Sequence, residues 1–433
     1  MNAREEIREP ARTVPVRHEA DVLVVGGGAA GVAAAVAAGR RGARVVLAER
    51  TGALGGLASG GLIVLLLSLD DGRGRQVVGG LCQEVVDRLD ALGAAVHPPP
   101  REWGSADSAR VEAWRRYGLV WGRAPQVVRY AVAYEPEALR VVLAGLLQEA
   151  GVRVLHHVLA CGVAREGGRV SAVIFESKAG RFGVRAGAVV DATGDGDVFT
   201  AAGCAHEHEE VLPWLWFLVG GVEDADAAAA AGAGFRTPDP GRLLLPWGAT
   251  PKQHRRIDPT SPEDLGEAEL ACRARVFEAF RELRQRPGFA RAHLCRVAEQ
   301  LGITESRRLL GRHVLAREEM DRPRDDAVAL TGHWTRAGAL YWIPFDSLLP
   351  RELSNLLVAG RCISVDHRVH HATKEIPACF ATGQAAGTAA ALAVAGGIEP
   401  ATLAVPSLRE ALRADGAILD PPDATGPAQG RME

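Results

Sequence analysis

Apolar and polar positions fall into blocks that predict alternating strands and helices. Residues 21–25 form a short apolar run that reads as a central parallel strand, buried on both faces. A glycine cluster follows. Val32 to Arg41 is then dominated by alanine, a helix-forming composition, and Arg44 to Ala48 reads as a second strand. Further on, Leu81, Val85, Val86, Leu89 and Leu92 recur on a helical period and predict an amphipathic helix over 79–93. Glu135 to Ala150 has the same period and is stopped by Gly151. Val152 to Val163 opens a strand series. Val170 to Ser177 and Arg181 to Arg185 predict two strands of a meander around Gly180, and Gly187 to Ala192 predicts a returning buried strand.

The rest is less regular. Pro98, Pro99 and Pro100 interrupt the chain, and 101–127 reads as an irregular excursion. Residues 206–345 change character. They hold a strand near Trp214 to Gly220, proline-bearing loops, and helical stretches near 264–285 and 307–319. Ser354 to Ala359 predicts a late strand ended by Gly360, and Pro377 to Ala395 an alanine-rich helix opened by its proline. The first 19 residues, charged and bearing Pro10 and Pro15, read as a loose arm. Beyond about residue 415 the Pro/Gly content predicts little order.

The glycine cluster gives the first block a chemistry. Gly26 to Gly31 satisfies G-x-G-x-x-G between strand and helix. Gly26 permits the tight turn, Gly28 lets the backbone approach a pyrophosphate, and Gly31 lets the helix pack closely on the sheet. The helix N-terminus offers free N–H groups to phosphates. Glu49, after the second strand, can accept hydrogen bonds from both ribose hydroxyls, which makes NADP the least suitable ligand. Residues 21–49 thus predict a dinucleotide-binding βαβ unit, with FAD and NAD both open. Gly55, Gly56 and the glycines near Ser59 extend a close-lying loop beside it.

Composition narrows the class. A length of 433 residues with 47% hydrophobic content supports two or three domains. A net charge of -3 without polybasic tails argues against nucleic acid. The apolar stretch from Leu62 to Leu69 is too short to span a bilayer, and no signal peptide is visible. Seven cysteines without a CxxC pair argue against iron–sulfur ligation and structural zinc. They fit reduced, mostly buried thiols in a cytoplasmic protein, with Cys362 and Cys379 as a minor redox-pair option.

Several ordered motifs carry a family resemblance. They are Gly26 to Gly31, Glu49, Gly55-Gly56, Tyr134 to Leu139, Gly151 to Val154, Asp191 to Asp197, Thr304 to Arg308, Leu357 to Ser364 and Gly383 to Gly387. The chain resembles FAD-dependent oxidoreductases with the glutathione-reductase type of dinucleotide fold, over most of 20–397. It looks closest to a bacterial group distantly similar to fumarate reductase flavoproteins. The resemblance implies an α/β fold: a Rossmann-like FAD-binding domain with an inserted α+β substrate or cap domain. The expected division is 20–205 and 346–398 for the FAD domain, 206–345 for the cap, and 399–433 as a partly disordered extension.

The resemblance also implies site residues. Gly26, Gly28, Ala29, Ala30, Gly31, Glu49, Arg50, Gly55 and Gly56 would hold the adenosine half of FAD. Ala160 would pass beside the adenine. Ala192, Thr193 and Gly194 would lie where the chain re-enters the FAD domain. Gly360, Arg361 and Asp366 match positions near the pyrophosphate and ribityl chain, and the helix containing Cys379 would aim its positive end towards the flavin. Relatives often carry Arg where Lys374 stands. Lysine is a point charge rather than a bidentate fork, so it does not offer a carboxylate the two-pronged contact of arginine.

Residues 366–374 are then the best candidate for chemistry, with three histidines and two fixed cations. His371 is favoured as proton acceptor, His367 is a second candidate, and Lys374 or Arg368 suits an anionic substrate or oxyanion. Each histidine also has a structural reading as a loop hydrogen-bonder or a solvent-facing ring, and adjacency makes them poor metal ligands. Arg307 reads as a contact to the substrate or the domain interface, or as an ion-pair partner of Glu305. Trp214 and Trp216 read as a substrate surface or a buried strand. His206 and His208 read as an exposed connector. The leading expectation is a flavin-dependent dehydrogenase or reductase of a small, anion-compatible organic substrate with an unnamed electron partner; a homo-oligomer stays open. The alternatives are an oxidase using O₂, a non-catalytic flavoprotein or redox sensor, and an NAD-only dehydrogenase.

Overall fold

The computed structural model describes residues 7, 9–122, 126–249 and 255–421. Strand β1 (Val16–Val25), helix α1 (Ala29–Arg40) and strand β2 (Val45–Glu49) form the expected βαβ unit. Both strands are parallel, with Val24 opposite Leu47. Val22, Leu23 and Val24 are fully buried, which is why an unbroken apolar run is needed there. Each such side chain contributes roughly 1.5–3 kcal/mol by leaving water.

These strands sit inside one seven-stranded mixed sheet. Beyond β2 lies Arg153–His156, and beyond β1 lies Phe182–Asp191. The long Phe182–Asp191 strand has two neighbours on its far side. Its first half pairs antiparallel with Arg169–Glu176, which pairs in turn with Leu159–Glu166. Its second half pairs parallel with the late strand Leu356–Val358. The two strands expected at 181–185 and 187–192 are therefore one. Gly187 is not a turn: a side chain there would press on Val394 and on the Asp21 carbonyl. The glycine permits close packing within a continuous strand.

The helix Ile376–Ala395 lies against α1, with Gly383 and Gly387 directly over the Ala30 and Ala34 backbones. Any Cβ at those two positions would collide with the facing carbonyls. This helix is long and apolar enough to cross a membrane, but 72% of its most apolar window is buried inside the protein. Core packing explains its composition.

Residues 206–345 build a four-stranded antiparallel sheet: Phe235–Arg236, Arg242–Ala249, Leu215–Gly220 and His293–Val297. Helix Pro262–Arg284 contacts the middle two of these strands. Ser261 caps this helix by accepting from the Asp264 N–H, Pro262 opens it, and Arg281 and Arg284 close it. A hairpin, Ala327–His333 with Arg336–Pro344, leads back to the main sheet.

Three further expectations are corrected. The segment 307–319 is not helical. Arg307–Leu309 is a short strand paired with His206–His208, so the expected connector is also a strand, and only Arg317–Glu319 makes a helical turn. Ion pairs on alternate sides of the strand override helix propensity here. The excursion at 101–127 contains a helix, Ser108–Arg115, started by Asp107, whose carboxylate accepts from the Arg110 N–H at 2.9 Å. The N-terminal arm ends earlier than residue 19, because β1 begins at Val16. The extension after 399 holds a helix, Val405–Ala414, with Leu408, Leu412 and Leu419 buried; 422–433, where most of the expected loss of order falls, lie outside the described residues.

Candidate functional site

A cavity of about 780 Å³ opens at the C-terminal ends of the parallel strands. The glycine cluster shapes one wall. Gly26 has φ +101°, and a side chain on it would collide with the Ala192 carbonyl, so only glycine makes this turn. Gly28 is the N-cap of α1 and has no heavy atom within 4 Å of where a Cβ would stand. The space before the helix N-terminus is open, and its first N–H groups face it.

Most residues expected at the site do line the cavity. Gly26, Gly28, Ala29, Ala30, Glu49, Arg50, Gly55 and Gly56 lie on one side, with Ala192, Thr193 and Gly194 beside them. Gly360, Arg361 and Cys379 come from the returning strand and helix, and His371 and Lys374 complete the opposite end. Gly31 is behind the wall, packed against the Gly26 carbonyl.

Four expected residues point elsewhere. Ala160 is half-buried on the Leu159–Glu166 strand, away from the cavity lining. Asp366 caps helix His367–Thr373: its carboxylate accepts from Val369 N–H at 2.7 Å and from Arg317 N–H at 2.8 Å. His367 turns its Nδ1 to Glu305 at 3.0 Å. Arg307 donates to Asp197 at 2.7 Å. The partner of Glu305 is Arg308, not Arg307, and that guanidinium is buried between Glu305 and Glu207.

Carboxylates order the loops around the cavity. Glu49 accepts from Gly27 N–H at 2.6 Å and from Thr51 N–H and Oγ1 at 2.7 and 2.8 Å. Asp191 is wholly buried and accepts from Thr193, Val198 and Phe199, which folds the turn after its strand. Asp195 accepts from Arg361 at 2.7 Å and from Ser306 Oγ at 2.6 Å. Burial and the neighbouring Asp191 and Asp195 push Asp197 up to about 6, despite Arg307.

The 366–375 segment divides its labour. His370 is buried and inert: its Nε2 meets the Arg361 carbonyl at 2.9 Å, and burial lowers its pKa to about 4. His371 is exposed at the cavity wall, and its pKa is lowered by partial burial and by Lys374 and His367. Lys374 reaches Thr304 Oγ1 at 3.4 Å, with its pKa lowered by burial. Glu375 also lines the cavity, at the N-cap of the long helix, and burial pushes it up to about 7. Sequence reasoning missed Glu375; its signal was an acid immediately before an Ile-Pro helix start. It also missed Trp121 and Trp334, which line the cavity with Trp214 and Trp216.

Among the described residues one group, Glu209, Glu305 and His367, brings three metal-type ligand atoms within 4.8 Å. Arg308 already neutralises it, bonding Glu305 and approaching Glu209 at 4.0 Å.

The chain is similar in shape to several solved structures. One is a geranylgeranyl bacteriochlorophyll reductase-like protein from Thermoplasma acidophilum: 14% identity, 92% of this chain and 84% of that one, TM-score 0.47. Another is the p-nitrophenol 4-monooxygenase PnpA from Pseudomonas putida: 16% identity, 91% and 84%, TM-score 0.47. A third is an L-amino acid deaminase from Proteus myxofaciens: 14% identity, 91% and 94%, TM-score 0.44. At such scores these likenesses carry no weight for activity. No curated protein matches the chain. The family model described as FAD dependent oxidoreductase matches residues 21–412, nearly the whole described chain. The protein therefore belongs to the FAD-dependent oxidoreductase family, and is an enzyme of that kind.

Proposed function

We propose that the protein transfers a hydride between a small organic substrate with an acidic group and FAD, as a dehydrogenase or reductase. The observation that carries this reading is one cavity joining a glycine-lined helix N-terminus to a half-buried lysine, a histidine and a glutamate.

The residues present fit FAD. Gly28 and the N–H groups of α1 would hold the pyrophosphate, and Arg361 lines the same cavity with its guanidinium bonded to Asp195. Glu49 would take the ribose hydroxyls. The sheet order, the 159–191 meander and the returning strand Leu356–Val358 support the glutathione-reductase type of FAD domain, with 20–205 and 346–398 contributing to it and 206–345 as a cap. The distant similarity to fumarate reductase flavoproteins rests on the motifs alone. The seven free thiols support a cytoplasmic setting.

FAD supplies the two-electron acceptor or donor when bound. The chain's residues do the rest. Lys374 binds the acidic group of the substrate from inside the cavity, where water screens it little. His371, whose pKa is lowered by burial and by Lys374 so that the neutral ring is favoured, accepts a proton from the substrate at a ring nitrogen. Trp214, Trp216 and Leu301 keep the cavity dry.

The direct test is anaerobic. FAD-loaded protein is mixed with a panel of organic acids, and the oxidised flavin band is followed. Bleaching by one class supports the reading; a flavin that every donor leaves oxidised, and whose reduced form no acceptor reoxidises, refutes it.

Two expected results follow from this assignment. Glu49→Ala should weaken FAD binding about 10-fold to 150-fold, as roughly 1.5–3 kcal/mol for lost charged hydrogen bonds. Equilibrium titration of the apoprotein with FAD checks this. Glu375 predicts a pH effect. Its folded pKa lies above the usual carboxylate value, so the folded state holds this proton more tightly. Its contribution to stability therefore falls as pH rises from about 4.5 through about 7. Over the upper part of that window a carboxylate appears beside Lys374. Benzoate affinity should then drop as pH passes about 7, and Glu375→Gln should remove the inflection.

A further inference from the structure

Eight tryptophans occur in the chain, and four of them, Trp121, Trp214, Trp216 and Trp334, line this one cavity. The distribution within the cavity is uneven. The wall built by α1 and its loop is glycine and alanine, whereas the indoles come from other elements. Trp216 enters from the antiparallel sheet of residues 206–345 and Trp214 from the segment just before that strand, with ring centroids 5.1 Å apart. Trp121 and Trp334 enter from two loops and meet edge to face at 5.8 Å and 73°. Trp121 is also braced edge-on by Phe235 at 5.5 Å.

Neighbouring backbone holds this arrangement. Trp334 donates its Nε1–H to the His371 carbonyl at 2.9 Å, and its own carbonyl accepts from Arg129. Trp214 lies flat on Gly302, where any side chain would displace it. Trp121 and Trp334 are only half-buried, so their apolar faces are not consumed by the core.

The charged groups of the cavity fix the rest. Glu269 is paired with Arg273, and Arg361 and Arg50 are turned to Asp195. Lys374 remains, with Glu375 beside it and Thr304 against its Nζ. A cationic ligand would meet that lysine. A small dicarboxylate would find one lysine for two charges and leave the half-exposed faces of Trp121 and Trp334 in water, above the buried Trp214 and Trp216. A flat aromatic body answers them: each stacked or edge-on ring pair is worth about 0.5–1.5 kcal/mol beyond its buried area.

We propose that the substrate is a planar aromatic compound with one acidic group, its rings among Trp121, Trp214, Trp216 and Trp334 and its acid towards Lys374. This deepens the redox reading above and rests on it.

The test uses FAD-loaded, oxidised protein titrated with 2-naphthoate, hexanoate and succinate. Perturbation of the flavin band and quenching of tryptophan fluorescence report binding without turnover. The expected result is a Kd for 2-naphthoate at least tenfold below those of the two aliphatic acids. Trp334→Leu should erase at least a factor of ten of that preference with flavin content retained. Trp334→Phe, which keeps an aromatic face, should restore most of it. The proposal is overturned if hexanoate or succinate binds as tightly as 2-naphthoate, if none of the three binds, or if Trp334→Leu and Trp121→Leu both keep the wild-type preference. Failure of the redox reading looks different: 2-naphthoate binds, but no aromatic acid or other donor bleaches the flavin and no acceptor reoxidises it.

Discussion

Lys374→Met should lower kcat/KM by about 10²- to 10³-fold, or roughly 2.7–4 kcal/mol, with FAD content unchanged. Methionine keeps the length and apolar stem of the side chain and removes only its charge. The charge matters because Lys374 sits inside the cavity, where burial already lowers its pKa and a bound acid would be weakly screened. The loss should appear mainly in KM if the lysine only binds, and in kcat as well if it also stabilises charge during transfer. A second signature separates this from a folding defect. Lys374 depresses the His371 pKa, so removing it should move that titration back up towards the ordinary value of about 6.5. Lys374→Arg should rescue incompletely, because a planar fork does not replace a point charge at Thr304. Retention of more than a third of wild-type kcat/KM in the methionine variant would refute the assignment.

Arg129→Leu should destabilise the fold by about 3–5 kcal/mol. Arg129 and Asp70 are both buried, and Nε meets Asp70 Oδ1 at 2.8 Å. The guanidinium also donates to Ser68 Oγ at 2.6 Å, the Asp70 carbonyl at 3.0 Å and the Trp334 carbonyl at 3.1 Å. Leucine leaves Asp70 as a buried carboxylate without its counter-charge. Asp70 Oδ2 already has no partner among the described residues, so little remains to compensate. The double variant Arg129→Leu, Asp70→Leu should recover most of the loss, since removing both charges removes the penalty. Urea unfolding of the FAD-free proteins measures both. A single-variant loss below about 1 kcal/mol would show that the pair is not the clamp described. Because the same arginine holds the Trp334 backbone, the single variant should also weaken 2-naphthoate binding.

How much of this was readable from residues alone depends on range. The βαβ unit was legible because each part has a local cause: an apolar run, a glycine turn, an alanine-rich helix and an acid within thirty residues. The helix Ile376–Ala395 was legible for the same reason. The continuity of Phe182–Asp191 across 185–187 was not legible, because what fits Gly187 into the strand is the close approach of Val394, far along the chain. The 307–319 segment was misread because its arginines and leucines suit a helix until Glu207 and Asp197 are brought beside Arg308 and Arg307.

The candidate site divides along the same line. By itself the sequence determined a βαβ unit with a glycine turn before its helix, and it pointed to 366–374 as a candidate segment, because these are contiguous and their patterns act over a few residues. Only the tertiary structure decided which members of that segment face the cavity. His371, Lys374 and Glu375 do, while Asp366, His367 and His370 are spent on Val369, Arg317, Glu305 and the Arg361 carbonyl. It also assembled the four tryptophans, from three parts of the chain, into one chamber. A side chain's direction and its pKa depend on burial and on charges brought close by long-range packing, and no local pattern encodes those.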